Sequence, residues 1–428
     1  MLPKTSSEIS QLRGEIDRLL GGTGELAAPI GGYYRQSIQL EDLNGDGSLE
    51  AIVFIRTGGD STLQVCVFEQ NERGDYFLNS VLDMAGTTFD SVSYYDLTGN
   101  GYKNIIVGRS LGANVPKALG VISTDGASVV SLLSATYAGY TLFDLDHDGQ
   151  SELILVRYDS GEMTGVLEAY SFSQADNQMV VSLSVGLSEN MESMTRMRSG
   201  YLRGGVPAIF ISGACNGRVD TFTDILAINC SELKNITLDS ETGMTSEIVP
   251  QYSVNGQDIN GDSIFDLPHS VPLLEYEGKK STELFKKIVW VDYDIRGNDR
   301  EVLQTFHNNT DGWYFVIPPQ WQRNMTVDRR DGLSASGERT VIFSVFTDTG
   351  EVADVLAIHT LTGENRSDRS LLPGRIILST GAARTSIIYA ATIYTLPKNL
   401  SQYQISEHEV IESFRLIQTE WLAGGLTN

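Results

Sequence analysis

The chain has 428 residues, of which 41% are hydrophobic and 20% are charged, so it can bury a sizeable core and is not a disordered tail. Its length predicts two domains or one large closed architecture. With 55 acidic and 31 basic residues, its formal charge of −24 excludes a general nucleic-acid binder, because such a chain repels a phosphate backbone. The 42 glycines imply many turns and argue against a helical bundle.

The first predicted element is a helix over residues 5–20. Its apolar residues recur at helical spacing and form one stripe: Ile9, Leu12, Ile16, Leu19 and Leu20. We assign residues 1–30 to this helix and a linker, and expect the helix to pack on the protein, with partner binding as the alternative. No apolar run reaches ~18 residues, so no transmembrane span is expected. The polar start is typical of a tether or a trimmed chain, which leaves open a lipid anchor ahead of Met1.

One pattern recurs along residues 31–310. Four copies read DLNGDGSLEAIVFI from residue 42, DLTGNGYKNIIV from 96, DLDHDGQSELILV from 144 and DINGDSIFDL from 258, and a degraded copy, GYLRGGVPAIFIS, starts at Gly200. Strand-like runs separated by turn residues surround the copies. Four strands in a unit of about fifty residues are typical of a β-propeller blade. We therefore predict a mainly β protein with a five-bladed β-propeller, and a six-bladed ring is the alternative.

Carboxylates stand on alternate positions in three of these copies. Calcium prefers six to eight oxygen ligands at about 2.3–2.6 Å, and short carboxylates in a tight loop can converge on one point. Solvated turns closed by Asp and Asn side chains are the alternative. An EF-hand is excluded, because its twelfth position needs a glutamate and is here Val53, Leu155 or His269.

The repeated loop resembles the FG-GAP, or VCBS, repeat of integrin α-chain propellers, over residues 33–310, and points to a surface protein of bacterial type. The resemblance implies that Ca²⁺ is bound between the first two strands of a blade. Carried over by position, it implies three ligand sets: Asp42, Asn44, Asp46, the Ser48 carbonyl and Glu50; Asp144, Asp146, Asp148, the Gln150 carbonyl and Glu152; and Asp258, Asn260, Asp262, the Ile264 carbonyl and Asp266.

Three of the five copies depart from that pattern. Ser263 replaces the usual glycine in the last set. In the second copy Thr98 and Asn104 carry no charge, so we expect weak metal binding there. The copy at Gly200 has no carboxylate and predicts a plain turn.

The pattern changes from about residue 311. Strand-like runs follow one another up to residue 396, and SEHEVIESFRLIQTEW, residues 406–421, has helical periodicity. Strands followed by a terminal helix predict a small α+β domain over residues 311–428. The segments FVIPPQW and VIESFRLI resemble the Mog1/PsbP-like fold, which implies a binding or scaffold module.

The sequence carries no recognisable catalytic motif. Its five histidines lack metal-site spacing, and no nucleophile elbow or phosphate loop follows a strand. We therefore expect a non-enzymatic, monomeric protein of the extracellular space or cell surface. It would bind a glycan or a protein through a calcium-stabilised propeller. Four tyrosines could stack on such a ligand or simply pack between blades: Tyr94, Tyr95, Tyr137 and Tyr140.

Two other functions stay open. One is a glycosidase on a five-bladed propeller, which needs two carboxylates across a pocket. Candidates outside the loops are Asp90, Asp220, Asp224, Glu275 and Asp292. The other is an intracellular scaffold whose acidic turns hold no metal.

Overall fold

A computed structural model describes residues 6–22, 24–58, 62–113, 115–125, 129–159, 161–189, 191–250, 254–276, 283–331, 337–347, 350–380 and 387–417. The protein is mainly β, as predicted, and its strands form antiparallel sheets. It divides into two compact units, Met1–Ile248 and Val249–Gly424. None of the helices in the described ranges is long and apolar enough to span a membrane.

The described part of the first unit holds helix α1 (Ser6–Leu20) and four sheets in chain order. The first sheet contains β1 (Gly24–Leu26), β2 (Ile38–Glu41), β3 (Glu50–Thr57), β4 (Thr62–Gln70) and β5 (Tyr76–Ala85). The second contains β6 (Thr88–Tyr95), β7 (Asn104–Ser110), β8 (Lys117–Ser123) and β9 (Val130–Tyr137). The third contains β10 (Gly139–Phe143), β11 (Glu152–Asp159), β12 (Thr164–Ser173) and β13 (Gln178–Gly186). The fourth contains β14 (Ser193–Leu202), β15 (Val206–Cys215), β16 (Asp220–Asn229) and β17 (Glu232–Asn235).

Successive sheets of this unit stack face to face. Phe54 of the first sheet meets Phe89 of the second, with ring centroids 5.0 Å apart. Comparable cores join the second sheet to the third and the third to the fourth. Both faces of β3 are buried, because Ile52 and Phe54 point into the core shared with the second sheet while Val53 points the other way. Radially stacked four-stranded sheets are the blades of a β-propeller, so this unit is built of propeller-type blades.

Helix α1 covers the outer face of the first sheet. Leu12 and Ile16 are buried against Val53 and Phe68. The Gln11 side chain donates to the Tyr76 carbonyl at 2.6 Å and accepts from the Tyr76 amide at 2.9 Å. The predicted helix and its packing role are confirmed.

The second unit holds the remaining sheets. Strand β18 (Ile248–Pro250) lies at the division between the units. A fifth sheet contains β19 (Leu267–Pro272), β20 (Lys286–Tyr293), β21 (Asp299–Asn308) and β22 (Trp313–Val316). A sixth contains β23 (Met325–Asp331), β24 (Glu338–Phe346), β25 (Val352–Leu361), β26 (Arg375–Ser379) and β27 (Ile388–Ile393). Helix α2 (Arg366–Ser370), a 3₁₀ turn (Lys398–Tyr403) and helix α3 (Glu407–Ser413) lead to β28 (Phe414–Leu416), which pairs with β22.

The fifth and sixth sheets share one hydrophobic core. Phe306 packs with Trp313 and Phe343, and Trp321 donates from Nε1 to the Tyr403 carbonyl at 2.8 Å. Strands β21 and β22 pair across the predicted domain boundary at residue 311. That position therefore lies inside a sheet, whereas the compact units divide after Ile248.

The predicted terminal helix over residues 406–421 is too long. A capping box starts α3: the Ser406 hydroxyl accepts from the Glu409 amide, and the Glu409 carboxylate accepts from the Ser406 amide. The helix ends at Ser413, and Phe414 instead pairs with Phe315 in the fifth sheet. The helical periodicity of the sequence continues through Phe414, but its side chain is buried by strand pairing instead. Residues 418–421 lie outside the described part.

All three cysteines are free. Cys66 and Cys215 are buried, and Cys230 is exposed.

Candidate metal-binding loops

The acidic loops occupy equivalent places in the sheets. Residues 42–50 connect β2 to β3, residues 96–104 connect β6 to β7, and residues 144–152 connect β10 to β11. Residues 258–266 run into β19. All are flanked by strand rather than helix, as predicted, except that the last is entered through the isolated bridge between Gln257 and Asp266.

The first aspartate of each loop fixes its turn. In the first loop the Asp42 carboxylate accepts from the Gly45 amide at 2.7 Å and from the Gly47 amide at 3.1 Å. The last loop repeats both contacts on Asp258, at 2.7 and 2.8 Å. Asp96 makes the same two contacts in the second loop, and Asp144 accepts from the Asp148 and Gly149 amides in the third. The first carboxylate thus closes the turn in all four acidic loops.

The fourth and sixth positions of each loop have left-handed backbone. Gly45 and Gly47 have φ of 73° and 86°. His147 takes the fourth position in the third loop with φ 66°, and Ser263 takes the sixth in the last loop with φ 70°. Glycine adopts this region freely, whereas other residues do so at a cost of about 1–2 kcal/mol. The serine therefore keeps the loop's shape under strain.

The ninth position ties the two ends of each loop together. The Glu50 carboxylate accepts from the Leu43 amide at 2.8 Å, and Glu152 accepts from Leu145 at the same distance. In the last loop Asp266 accepts from the Ile259 amide at 3.0 Å. The second loop makes this bond with the uncharged Asn104, which accepts from Leu97 at 2.9 Å.

Burial makes these ninth carboxylates unusual acids. It raises the pKa of Glu50 and of Glu152 above the ordinary glutamate range, with loop carboxylates adding to the effect. Asp266 has no exposed surface. Its burial, reinforced by Asp262 and Asp258, raises its pKa to about 7 although the Ile259 amide opposes the shift. A cation placed at this carboxylate would remove the cost of ionising it.

The donors fit a hard cation best in the third and last loops. Carboxylate oxygens of Asp144, Asp146 and Glu152 all lie within 4.8 Å of one another, the one such acidic triplet in the described ranges. Asp266 Oδ1 is buried and accepts no hydrogen bond from a described residue. Calcium prefers oxygen donors of this kind.

The other predicted ligands are engaged locally. In the first and last loops the second ligand position donates to the third, Asn44 to Asp46 at 3.1 Å and Asn260 to Asp262 at 2.9 Å. The amides of Ser48, Gln150 and Ile264 donate to Asp46, Asp148 and Asp262, at 2.6, 2.8 and 2.9 Å.

The two remaining copies differ from these three. The second keeps the turn around Asp96, but Asn100 donates to Asp125 at 2.6 Å. The copy at Gly200 is a plain turn, as predicted, in which the Gly205 amide donates to the Leu202 carbonyl at 2.9 Å.

Two of the four tyrosines proposed for ligand stacking pack inside the protein, and Tyr94 and Tyr95 are partly buried. Tyr137 and Tyr140 are 4% and 5% exposed, with ring centroids 5.4 Å apart. Tyr94 is partly buried and donates to Gln39 at 2.6 Å. The packing alternative is therefore correct for Tyr137 and Tyr140.

Three of the carboxylates considered for catalysis are buried with internal partners. Asp90 accepts from Tyr137 and from Lys117, each at 2.7 Å. Asp224 accepts from the Ser188 amide at 2.8 Å, and Asp292 forms an ion pair with Arg300. Asp220 accepts from Asn216 at 3.0 Å, and Glu275 is exposed. These partners account for the buried charges without a substrate.

Sequence reasoning missed the buried charge of Arg109. Arg109 is 6% exposed at the end of β7. The available signal was an arginine directly after the apolar run NIIVG.

No known family matches the chain, and no curated protein sequence matches it. Among solved structures, it is similar to the exotype rhamnogalacturonan lyase YesX at 12% identity and a TM-score of 0.30, over 76% of this chain and 74% of that one. A protein from Lactobacillus plantarum gives 11% identity and a TM-score of 0.29, over 76% and 86%. The Dos1 propeller gives 9% identity and a TM-score of 0.30, over 67% and 79%. At these values we draw no conclusion about activity.

Proposed function

We propose that the protein is a non-enzymatic binding or adhesion protein whose β-propeller is stabilised by Ca²⁺. The main observation in favour of calcium binding is that carboxylate oxygens of Asp144, Asp146 and Glu152 lie within 4.8 Å of one another. The buried, unbonded Oδ1 of Asp266 supports a second site. The first loop, which has the same turn, would hold a third through Asp42, Asp46 and Glu50.

Bound calcium would act on the fold and not on a substrate. It would neutralise carboxylates that the loops hold close together, so its binding energy adds to the stability of the folded state. The loops would then stiffen one edge of the blades, where connections of variable length can carry recognition. We propose an extracellular or cell-surface location, a monomeric state, and a glycan or protein ligand.

Calcium binding is tested by calorimetric titration of the chelator-treated full-length chain with Ca²⁺. We expect saturable binding, and a higher melting temperature by an amount corresponding to about 2.7 kcal/mol per site at 100 times Kd. Asp144→Asn should remove one site. The matched change Asp96→Asn, in the loop that lacks a ninth carboxylate, should leave the number of sites unchanged.

Equal melting temperatures with calcium and with chelator would refute the proposed calcium binding. The absence of turnover is tested separately, on an array of glycans and cell-wall polymers beside a panel of chromogenic glycosides. Binding without hydrolysis would support the proposal. Hydrolysis that is lost on mutation of a buried aspartate such as Asp292 would refute it in favour of a glycosidase.

A further inference from the structure

A cavity of about 470 Å³ lies between the first and second sheets. Small-molecule sites have volumes of about 300–1,000 Å³. The lining is mostly apolar and comes from β5 of the first sheet and from β7, β8 and β9 of the second. It includes one cation, Arg109, and one carboxylate, Asp83, which accepts from Gln64 at 2.8 Å. The apolar part is formed by Leu82, Met84, Ala118, Gly120 and Leu133. The cavity is thus large enough for a small organic ligand.

Arg109 is a buried cation with few internal partners. A guanidinium has five N–H donors. In Arg109, Nη1 donates to the Ala85 carbonyl at 2.8 Å, and Nε has no hydrogen-bond partner among the described residues. No acidic side chain of the described ranges forms an ion pair with it. Burial of an uncompensated charge is costly, and an anion in the cavity would offset that cost.

The third sheet has an arginine at the equivalent position, and there the chain itself neutralises the charge. Arg157 stands thirteen residues after Asp144, as Arg109 stands thirteen residues after Asp96. Arg157, whose side chain is 47% exposed, forms an ion pair with the buried Glu168. The two arginines therefore occupy equivalent positions, but only the exposed Arg157 receives a carboxylate from the chain, whereas the buried Arg109 does not.

Strand register identifies the missing partner. Glu168 lies opposite Leu155 in the third sheet, and the equivalent pair in the second sheet is Gly120 opposite Val107. Gly120 itself lines the cavity. The second sheet thus has a glycine where the third has Glu168. The missing side chain leaves space in the cavity and leaves Arg109 without an ion-pair partner from that position.

We propose that this cavity binds a small organic carboxylate with a short apolar chain. The ligand carboxylate would pair with Arg109, in the role that Glu168 has beside Arg157, because guanidinium and carboxylate form strong charge-assisted hydrogen bonds. Its chain would lie against Leu82, Met84 and Leu133. The site does not depend on the calcium loops.

The test is calorimetric titration of the full-length protein with hexanoate, hexanamide and glucuronate. We expect saturable binding of hexanoate, and at least roughly tenfold weaker binding of the uncharged amide, as expected for loss of a hydrogen bond to a charged group. Arg109→Gln should weaken hexanoate to the same extent. The matched control Arg157→Gln, in the sheet that supplies its own glutamate, should leave hexanoate affinity unchanged.

A second variant tests the site with the arginine intact. Gly120→Glu supplies the carboxylate from the chain and should abolish hexanoate binding. A Cβ at Gly120 would come within 2.6 Å of Met84 Cε, the movable end of a flexible side chain, so this variant decides the matter even if Arg109→Gln does not fold. Undetectable hexanoate binding, equal binding of hexanamide, or unchanged affinity in either variant would overturn the proposal. If the protein binds glucuronate but not hexanoate, the proposed ligand with a short apolar chain is wrong.

Discussion

Replacing Asp266 by asparagine should make the calcium-free protein more stable at pH 8. The pKa of Asp266 is raised from 3.8 to about 7 in the fold, and the side chain has no exposed surface. A raised carboxyl pKa contributes stability that is fully present below pH 3.8 and is lost as the pH rises through about 7. At pH 8 the ionised side chain therefore costs about 4 kcal/mol relative to the unfolded chain.

Asparagine removes that charge and keeps the loop closed. The second loop shows the outcome, since Asn104 accepts from the Leu97 amide at 2.9 Å while its Nδ2 is buried without a described partner. Such an unpaired donor costs about 1–3 kcal/mol. The net gain of Asp266→Asn at pH 8 is therefore about 1–3 kcal/mol in chelator. It should shrink towards pH 5 and turn into a loss once calcium is added.

The assay is urea unfolding at pH 5, 6, 7 and 8, with chelator and then with calcium. The reverse change, Asn104→Asp, is the matched control: it creates a buried carboxylate and should destabilise the protein at pH 8 more than at pH 5. Parallel pH profiles of the wild type and Asp266→Asn in chelator would refute the reasoning. They would mean that Asp266 ionises in the fold without cost.

Three further changes have defined outcomes. Ser263→Gly should raise the free energy of unfolding by about 1 kcal/mol in a thermal melt, because it relieves left-handed backbone; a destabilised variant would contradict this. Burial lowers the pKa of His307 to about 3, so its stability contribution is present above pH 6.5 and lost as the pH falls. Acidification to pH 5 should cost the wild type about 2 kcal/mol more than His307→Gln, and equal losses in urea titrations would refute it. Trp321→Ala should cost about 3–5 kcal/mol by cavity formation, and a loss below 1 kcal/mol in the same assay would show that its core collapses without cost.

The blades and their acidic loops were predictable because their signals are local. Each loop sets its own turn through contacts a few residues apart, so the spacing of Asp42, Gly45 and Gly47 predicts both hydrogen bonds of that carboxylate. The helix over Ser6–Leu20 is likewise set by its own periodicity. Calcium itself stays a prediction.

Pairings between distant segments could not be predicted. Phe414 continues a helical pattern in the sequence. In the structure it instead pairs with Phe315, which lies about a hundred residues earlier in the chain. The unpaired state of Arg109 depends on the register that puts Gly120 where another blade has glutamate. No single segment contains that information, because it appears only when two sheets are compared strand by strand.

The helix that covers the first sheet also has a consequence for folding during translation. Residues 6–20 leave the ribosome before the strands they cover, so the outer face of that sheet can be buried as soon as β3 and β4 form. Each later sheet then covers the face left open by the one before it. A growing chain of this unit therefore exposes about one apolar sheet face at a time, which limits the surface available for aggregation during translation.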